Sequence, residues 1–247
     1  MFAAAWGGTV VSELMHTHPA LTLLRTVPCL AGLEGAVLES VAARCRPKVI
    51  PAGQAVFMEG DACLDLFILE TGRVNFYRVS DEGREQILKV FDRPGDTFCI
   101  ASAFSVGRHI VSARAATKAR LHLLDLETVK RLVTEHPPMG LQLMTTAGDH
   151  MAHLVDLAED LALKTATARL AKYLHDLALA EGEETADGIR LSRDRLHEDE
   201  LASILGTVRV HVSRILTHLV RAGAIAVDRE SIRVSDLAVL QRISKAG

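Results

Sequence analysis

Arg209, Ser213 and Arg214, with Thr207, Val210, His211 and Thr217 around them, are the residues whose types and spacing speak most directly of chemistry. A guanidinium can donate two parallel hydrogen bonds to guanine O6 and N7, and a serine or threonine hydroxyl can bond a base edge or a phosphate. The stretch Thr207–Leu216 follows Leu205-Gly206 and the short helical segment Glu198–Ile204. With Val212 at the centre of a buried face, Val208, Ile215, Leu216 and Leu219 fall beside it at 3.6-residue spacing, while Val210, Arg214, Thr217 and Arg221 point away. Two short helices that meet at a glycine, the second carrying arginines on its outer face, form the pattern that enters a DNA major groove. Thr207 is expected to cap that helix, and Arg209 to read a base or hold the backbone. The local charge agrees: from Leu201 to Val227 there is no acidic residue, while Arg209, His211, Arg214, His218 and Arg221 recur. This basic island sits in a chain whose net charge is only −3.

Other reactive residue types are sparser in pattern. The four cysteines, Cys29, Cys45, Cys63 and Cys99, have no C-x-x-C spacing, so neither a disulfide framework nor a cysteine-only metal site is expected. Reduced thiols in a cytoplasmic protein are the economical reading. Eleven histidines include His16-x-His18 and His150-x-x-His153, the latter pair on one helix face. No glycine-rich phosphate loop, nucleophile elbow or metalloprotease motif is present, and Asp65 and Asp96 have no partner spacing for acid–base work, so an enzyme is not expected. The start, Met1-Phe2-Ala3-Ala4-Ala5-Trp6, lacks a basic region, and no apolar run approaches membrane-spanning length; no membrane partner is expected.

These residues need elements to carry them. After an N-terminal arm at 1–20, the segment Leu21–Arg44 reads as one or two short helices interrupted at Pro28 and Gly32. From Lys48 to Leu124, short apolar runs (Val56–Met58, Leu66–Leu69, Val74–Tyr77, Gln86–Val90, Arg120–Leu124) alternate with turns at Gly53, Gly60, Gly72, Gly83 and Gly95. Turn spacing of this kind predicts an antiparallel roll or jelly roll over 21–136. Pro137-Pro138 opens a long helix to about Leu163, on which Leu143, Ala147, His150, Leu154, Leu157 and Leu161 alternate by four and three. That heptad pattern predicts a coiled-coil seam and a homodimer over 137–164. His150 lies in the seam, where an imidazole can act as a pH-sensitive latch. A helix over Ala166–Ala180, a polar loop from Glu181 to Gly188, the helix pair, a hairpin around Asp228-Arg229-Glu230 and a last helix at Leu237–Ile243 complete a winged helix-turn-helix over 165–247. The fold class is α+β.

A roll, a dimer helix and a C-terminal winged helix-turn-helix, in that order, resemble the CRP/FNR superfamily of bacterial transcription regulators. The resemblance rests on the roll glycines and Gly95-Asp96, and on Ala202, Gly206 and the buried Leu201, Leu205, Val212 and Ile215 of the helix pair. Glu82–Leu88 and Leu163–Arg169 are similar to the FNR side, particularly the dissimilatory nitrate respiration regulators, which are thought to sense nitric oxide through haem. The resemblance implies double-stranded DNA and RNA polymerase as partners, and an allosteric effector in the roll. In the family's recognition helix an arginine, a glutamate and a serine with a final arginine are usual. Arg209, Ser213 and Arg214 match, and Val210 replaces the glutamate. Valine cannot accept from cytosine N4, although its methyls can meet a thymine methyl.

The resemblance also places an effector pocket at Cys99, Ile100, Ala101, Ser102, Val111, Ser112, Leu154 and Val155. In cAMP-binding relatives, Gly-Glu, Arg-Ser and Thr-Ser pairs hold the nucleotide; here the matching pairs are Cys99-Ile100, Val111-Ser112 and Leu154-Val155, and only Ser112 survives. Without the arginine a buried cyclic phosphate lacks compensation, so cAMP is disfavoured. Cys29 has no neighbouring thiols, which disfavours an iron–sulfur cluster. Apolar walls leave haem open, with His150 as a weak axial candidate. The alternatives are an effector-independent DNA binder, or a cyclic-nucleotide-binding regulator with a divergent pocket.

Overall fold

The computed structural model describes residues 20–105 and 107–245; apart from Ala20 the expected arm lies outside them, as do His16 and His18. Two short helices, α1 (Leu21–Leu24) and α2 (Gly35–Arg44), precede strands β1 (Arg46–Ile50), β2 (Ala55–Phe57), β3 (Asp65–Thr71), β4 (Val74–Val79), β5 (Glu85–Phe91) and β6 (Thr97–Phe98). Helix α3 (Ile100–Phe104), strands β7 (Ser112–Ala115) and β8 (Ala119–Asp125) and helix α4 (Leu126–Glu135) close the roll. Two antiparallel sheets, ordered β1-β8-β3-β6 and β2-β7-β4-β5, face each other. The chain is poor in aromatics, yet Phe57, Phe67, Phe76, Phe91 and Phe98 converge between these sheets, with Phe67 stacked on Phe98 at 5.2 Å and Phe76 edge-on to Phe91 at 4.7 Å. Strand β3 is buried on both faces, with α4 packed against it, which explains its unbroken Leu66-Phe67-Ile68-Leu69 run. Gly72 shows why a turn glycine is needed: its φ is +91°, and a Cβ there would lie 2.3 Å from the Lys118 carbonyl oxygen.

Helix α5 (Pro137–Leu163) follows, then α6 (Ala166–Glu181), β9 (Glu183–Thr185), β10 (Gly188–Ser192), α7 (Glu198–Leu205), α8 (Arg209–Arg221), β11 (Ile225–Val227), β12 (Ser231–Val234) and α9 (Leu237–Ser244). A second core, built on Leu170, Leu174, Leu201, Val212, Leu219 and Ile232, holds this part together. The polar loop expected from Glu181 to Gly188 is instead the edge of a four-stranded sheet ordered β11-β12-β10-β9. Its strand character rests on Ile189 and Leu191 alone, because β9 is a fully exposed edge strand of charged and polar residues.

The expected seam needs correction. Leu143 is buried in the roll core, Ala147 packs against that core, and His150 meets the Phe91 ring edge-on at 5.6 Å. Leu157 borders a cleft with Ile87 and Ile204, Leu161 reaches the Gly206 turn, and Leu154 is half exposed. The N-terminal half of this stripe therefore lies against its own chain, whereas Leu154 and Leu161 stay exposed. A second stripe, about a third of a turn round the helix, is the exposed one: Leu141, Met144, Met151 and Val155 are 66, 71, 68 and 61% exposed, and Gly148, Ala158 and Ala162 continue the same three–four spacing. Both faces of α5 are apolar, so periodicity alone cannot tell which of them faces home.

The two cores meet through Glu200 of α7. Arg73, 6% exposed, donates to its Oε2 at 2.7 Å, and Asn75 Nδ2 donates to Oε1 at 3.1 Å. Gln86 Nε2 adds a bond to the Ile204 carbonyl at 3.0 Å, and Arg195 bridges Asp92 and Glu181 at 2.8 and 2.6 Å. Glu200→Ala strands a buried guanidinium and is expected to cost about 3–5 kcal/mol, whereas Arg73→Met with Glu200→Leu, which removes both charges, restores most of that. Chemical denaturation of the parent and the two variants tests the ordering; equal midpoints for single and double variants would show that the pair has no such role.

Candidate nucleic-acid interface and roll pocket

The acidic first turn of α7 (Glu198, Asp199, Glu200) suits its positive helix end, and Gly206 ends the helix at φ +63°. A Cβ on Gly206 would lie 2.1 Å from Gln86 Oε1, so glycine serves both the left-handed turn and the close approach of the roll. Val212, Ile215, Leu216 and Leu219 form the buried face of α8 as the spacing predicts. Two details differ. Val208 is the N-cap residue, with extended backbone and 60% exposure, because the helix starts one residue later than its apolar pattern. Thr207 is thus one position too early to cap; its Oγ1 pairs with His211 Nδ1 at 3.0 Å.

The outer face of α8 brings Arg209, Val210, Ser213, Arg214 and Thr217 around one shallow recess. Arg214 has no ion pair among the described residues, so its guanidinium is free to donate. Arg209 is held from behind: its Nε donates to Glu198 Oε2 at 3.3 Å and its Nη1 lies 3.5 Å from Asp199. Glu198 also borders the recess, a carboxylate beside Val210 that sequence reading missed. The only signal for it was an acid at the start of the preceding helix, which the Gly206 turn folds back onto α8. Beyond α8, Asp228 ties the β11–β12 turn by accepting from the Glu230 and Ser231 amides at 2.8 and 2.6 Å.

In the roll, Ile100 and Ala101 line an apolar cavity of about 450 Å³ together with Phe104, Leu143, Met144 and Ala147. The other expected pocket residues are elsewhere. Cys99 before α3 and Ser102 within it are buried, Ser112 Oγ accepts from the Glu59 amide at 3.0 Å, and Val111 does not border the cavity. Leu154 and Val155 lie on the exposed side of α5. The arginines that flank the Val111-Ser112 pair in sequence are already engaged. Arg114 makes a bidentate pair with Glu85 at 2.7 and 2.8 Å, and Arg108 bonds the Gly60 carbonyl at 2.8 Å. The cavity's lining includes no histidine, so its residues do not fit haem with an imidazole ligand. His150 and His153 both grip β5 instead, His150 against Phe91 and His153 through Nε2 to the Leu88 carbonyl at 2.9 Å.

Residues 47–136 match the family model of the cyclic nucleotide-binding domain, and residues 168–243 match that of the Crp-like helix-turn-helix domain. The chain is 27% identical to the CRP-like cAMP-activated global transcriptional regulator of Mycobacterium tuberculosis, over 85% of this chain and 93% of that one. It is 25% identical to the fumarate and nitrate reduction regulatory protein of Escherichia coli K12, over 81% and 78%. These near-equal figures do not favour the FNR side over the CRP side. A solved structure of a CooA mutant from Carboxydothermus hydrogenoformans superposes with a TM-score of 0.71 at 24% identity, covering 82% of this chain and 89% of that one, and shares the fold.

Burial, then the nearby Lys89 and His153, push the His150 imidazole down to about 4 from its ordinary 6.5, against an opposing pull from Asp149. The folded chain therefore resists a proton that the unfolded chain takes up. Stability from this group is full above about pH 6.5 and falls as the pH drops toward about 4. His150→Phe is expected to flatten that part of the curve. Denaturation midpoints of parent and variant from pH 4 to 7.5, at one protein concentration, check it; parallel curves would place the titration elsewhere.

Proposed function

The chain belongs to the CRP/FNR superfamily of transcription regulators, and from that premise we propose that it binds DNA as a homodimer through α8 under control of an apolar effector in the roll. It is a regulator and not an enzyme. The observation that carries the reading is the outer face of α8, where Arg214, Ser213 and Thr217 stand together on an exposed helix and the acids behind them hold only Arg209. Arg214 reads guanine O6 and N7, Ser213 and Thr217 reach base edges or phosphates, and His211 with Thr207 lies at the phosphate-facing start. The stripe Leu141–Met144–Met151–Val155 forms the dimer seam, with Gly148, Ala158 and Ala162 letting the two helices approach. Pairing sets the two α8 helices against half-sites about one helical turn apart. RNA polymerase is the partner expected from the family, and among the described residues no helix is long and apolar enough to cross a membrane.

The committed arginines and missing nucleotide contacts support an uncharged ligand over cAMP. The apolar cavity takes such a ligand, and it shares Met144 with the proposed seam, so filling it bears on how two α5 helices pack. Band shifts with and without small apolar candidates test the control; DNA affinity that no candidate changes would favour the effector-independent binder.

Arg214→Ala is expected to lose about 1–3 kcal/mol of discrimination between specific and random DNA. An equal loss on both would make Arg214 a phosphate contact. Binding sites selected from random DNA should keep the guanine and lack the usual cytosine opposite Val210, and Val210→Glu should bring it back. For the dimer, Met151→Glu is expected to give a monomer by light scattering, whereas Leu143→Ala costs about 2–5 kcal/mol of stability and leaves the dimer intact. The reverse pattern would return the seam to the buried stripe.

A further inference from the structure

Three reactive side chains far apart in sequence converge inside the roll. Cys63 precedes β3, Cys99 is the residue before α3, and His109 lies in the segment leading to β7. All three are buried, and one ligand atom from each lies within 4.8 Å of the other two. Cys99 Sγ is 3.5 Å from His109 Nδ1. Tetrahedral zinc, with bonds of about 2.3 Å to sulfur and about 2.0 Å to nitrogen, sets its ligand atoms roughly 3.5–3.8 Å apart. The cluster is therefore close to the spacing that such an ion needs.

We propose that Cys63, Cys99 and His109 form a binding site for a zinc-class metal ion, with a fourth position for water or another ligand. The backbone is shaped for this. Cys99 has φ +75°, and it is the one non-glycine residue with positive φ among those described. A side chain there costs about 1–2 kcal/mol that glycine would not, and a strained residue at a cluster of donors points to a site. The His109 ring is fixed by stacking on Phe57, with centroids 3.6 Å apart and planes 8° from parallel. Backbone bonds clamp the loops together: Cys63 N donates to the Gly107 carbonyl at 2.9 Å and His109 N to that of Asp61 at 2.9 Å.

Charge balances as well. A divalent ion displaces one proton from each thiol, and two thiolates with a neutral imidazole leave an uncharged centre, which burial tolerates. Cys29 and Cys45 are buried as well. Neither belongs to a ligand cluster among the described residues. A metal at Cys99 would fix the start of α3, whose next two residues line the apolar cavity.

The test is titration of the full-length, reduced protein with Co²⁺. The expected result is one ion per chain, a sulfur-to-cobalt charge-transfer band, tetrahedral visible bands and release of two protons. Cys99→Gly is the variant of choice, because glycine keeps the left-handed backbone without strain; it should fold, shown by its far-UV circular dichroism, and lose the bands. In the unmodified protein, stoichiometric Zn²⁺ should slow alkylation of Cys63 and Cys99 and leave Cys29 and Cys45 unchanged. A weak octahedral spectrum, bands that persist in Cys99→Gly, equal protection of all four thiols, or recovery of a Cys63–Cys99 disulfide without metal uptake would overturn the site.

Discussion

A carboxylate shared between two domains governs this structure. Glu200 belongs to the first helix of the DNA-reading pair, yet its partners Arg73 and Asn75 belong to the roll. Charges this deep interact strongly but are expensive to desolvate, so such a pair fixes a geometry more than it adds stability. The detail supports that view: among the described residues, Arg73 Nε and Asn75 Oδ1 are buried with no protein partner. An interface selected for cohesion alone would be apolar and satisfied. Here the ion pair, the Gln86 bond to Ile204 and the tight seat of Gly206 register α7 on the roll, and α7 in turn registers α8.

Helix α5 makes this registration matter at a distance. One stripe lies along the roll through Leu143, Ala147 and His150, its end meets the Gly206 turn through Leu161, and another stripe faces outward. Four large apolar side chains in a row along one helix face form a patch and not a scatter of single exposed residues. A helix apolar on two sides has one face that its own roll does not cover, and the proposed seam is that face.

That double character also shows where sequence reading succeeds and fails. The order of elements, the roll turns at Gly53, Gly60, Gly72, Gly83 and Gly95, and the buried face of α8 were legible because each is set by local rules: positive φ, helical period and a tight turn. A heptad pattern gives a spacing and not an orientation, so it could not tell the stripe that packs on the roll from the exposed one. Strand β9 was hidden because an exposed edge strand carries no alternation, and β7 because Ser112-Ala113-Arg114-Ala115 has only small residues on its inner face. Glu198 and the Cys63–Cys99–His109 cluster were invisible for a third reason. Their partners are brought to them by topology, and no spacing along the chain encodes that meeting.

Under the proposed control, a ligand near α3 would have to bear on the orientation of α8 without a direct contact between them. Moving a two-state equilibrium from mostly one state to mostly the other takes about 5.5 kcal/mol of differential binding. The apolar cavity is walled by Leu143, Met144 and Ala147 of α5, so a ligand there acts on the same helix whose far end touches the Gly206 turn. At that far end, the docked arrangement rests on one buried ion pair and on partly exposed polar contacts such as Arg195 to Asp92 and Gln86 to the Ile204 carbonyl. Breaking such a contact costs a few kcal/mol, the same order as the binding term. A larger apolar interface between roll and reading head would lock α8 in place, and a weaker one would leave it without register. A polar, incompletely satisfied junction at one end of a rigid helix, with an apolar cavity at the other, keeps both terms within reach of each other.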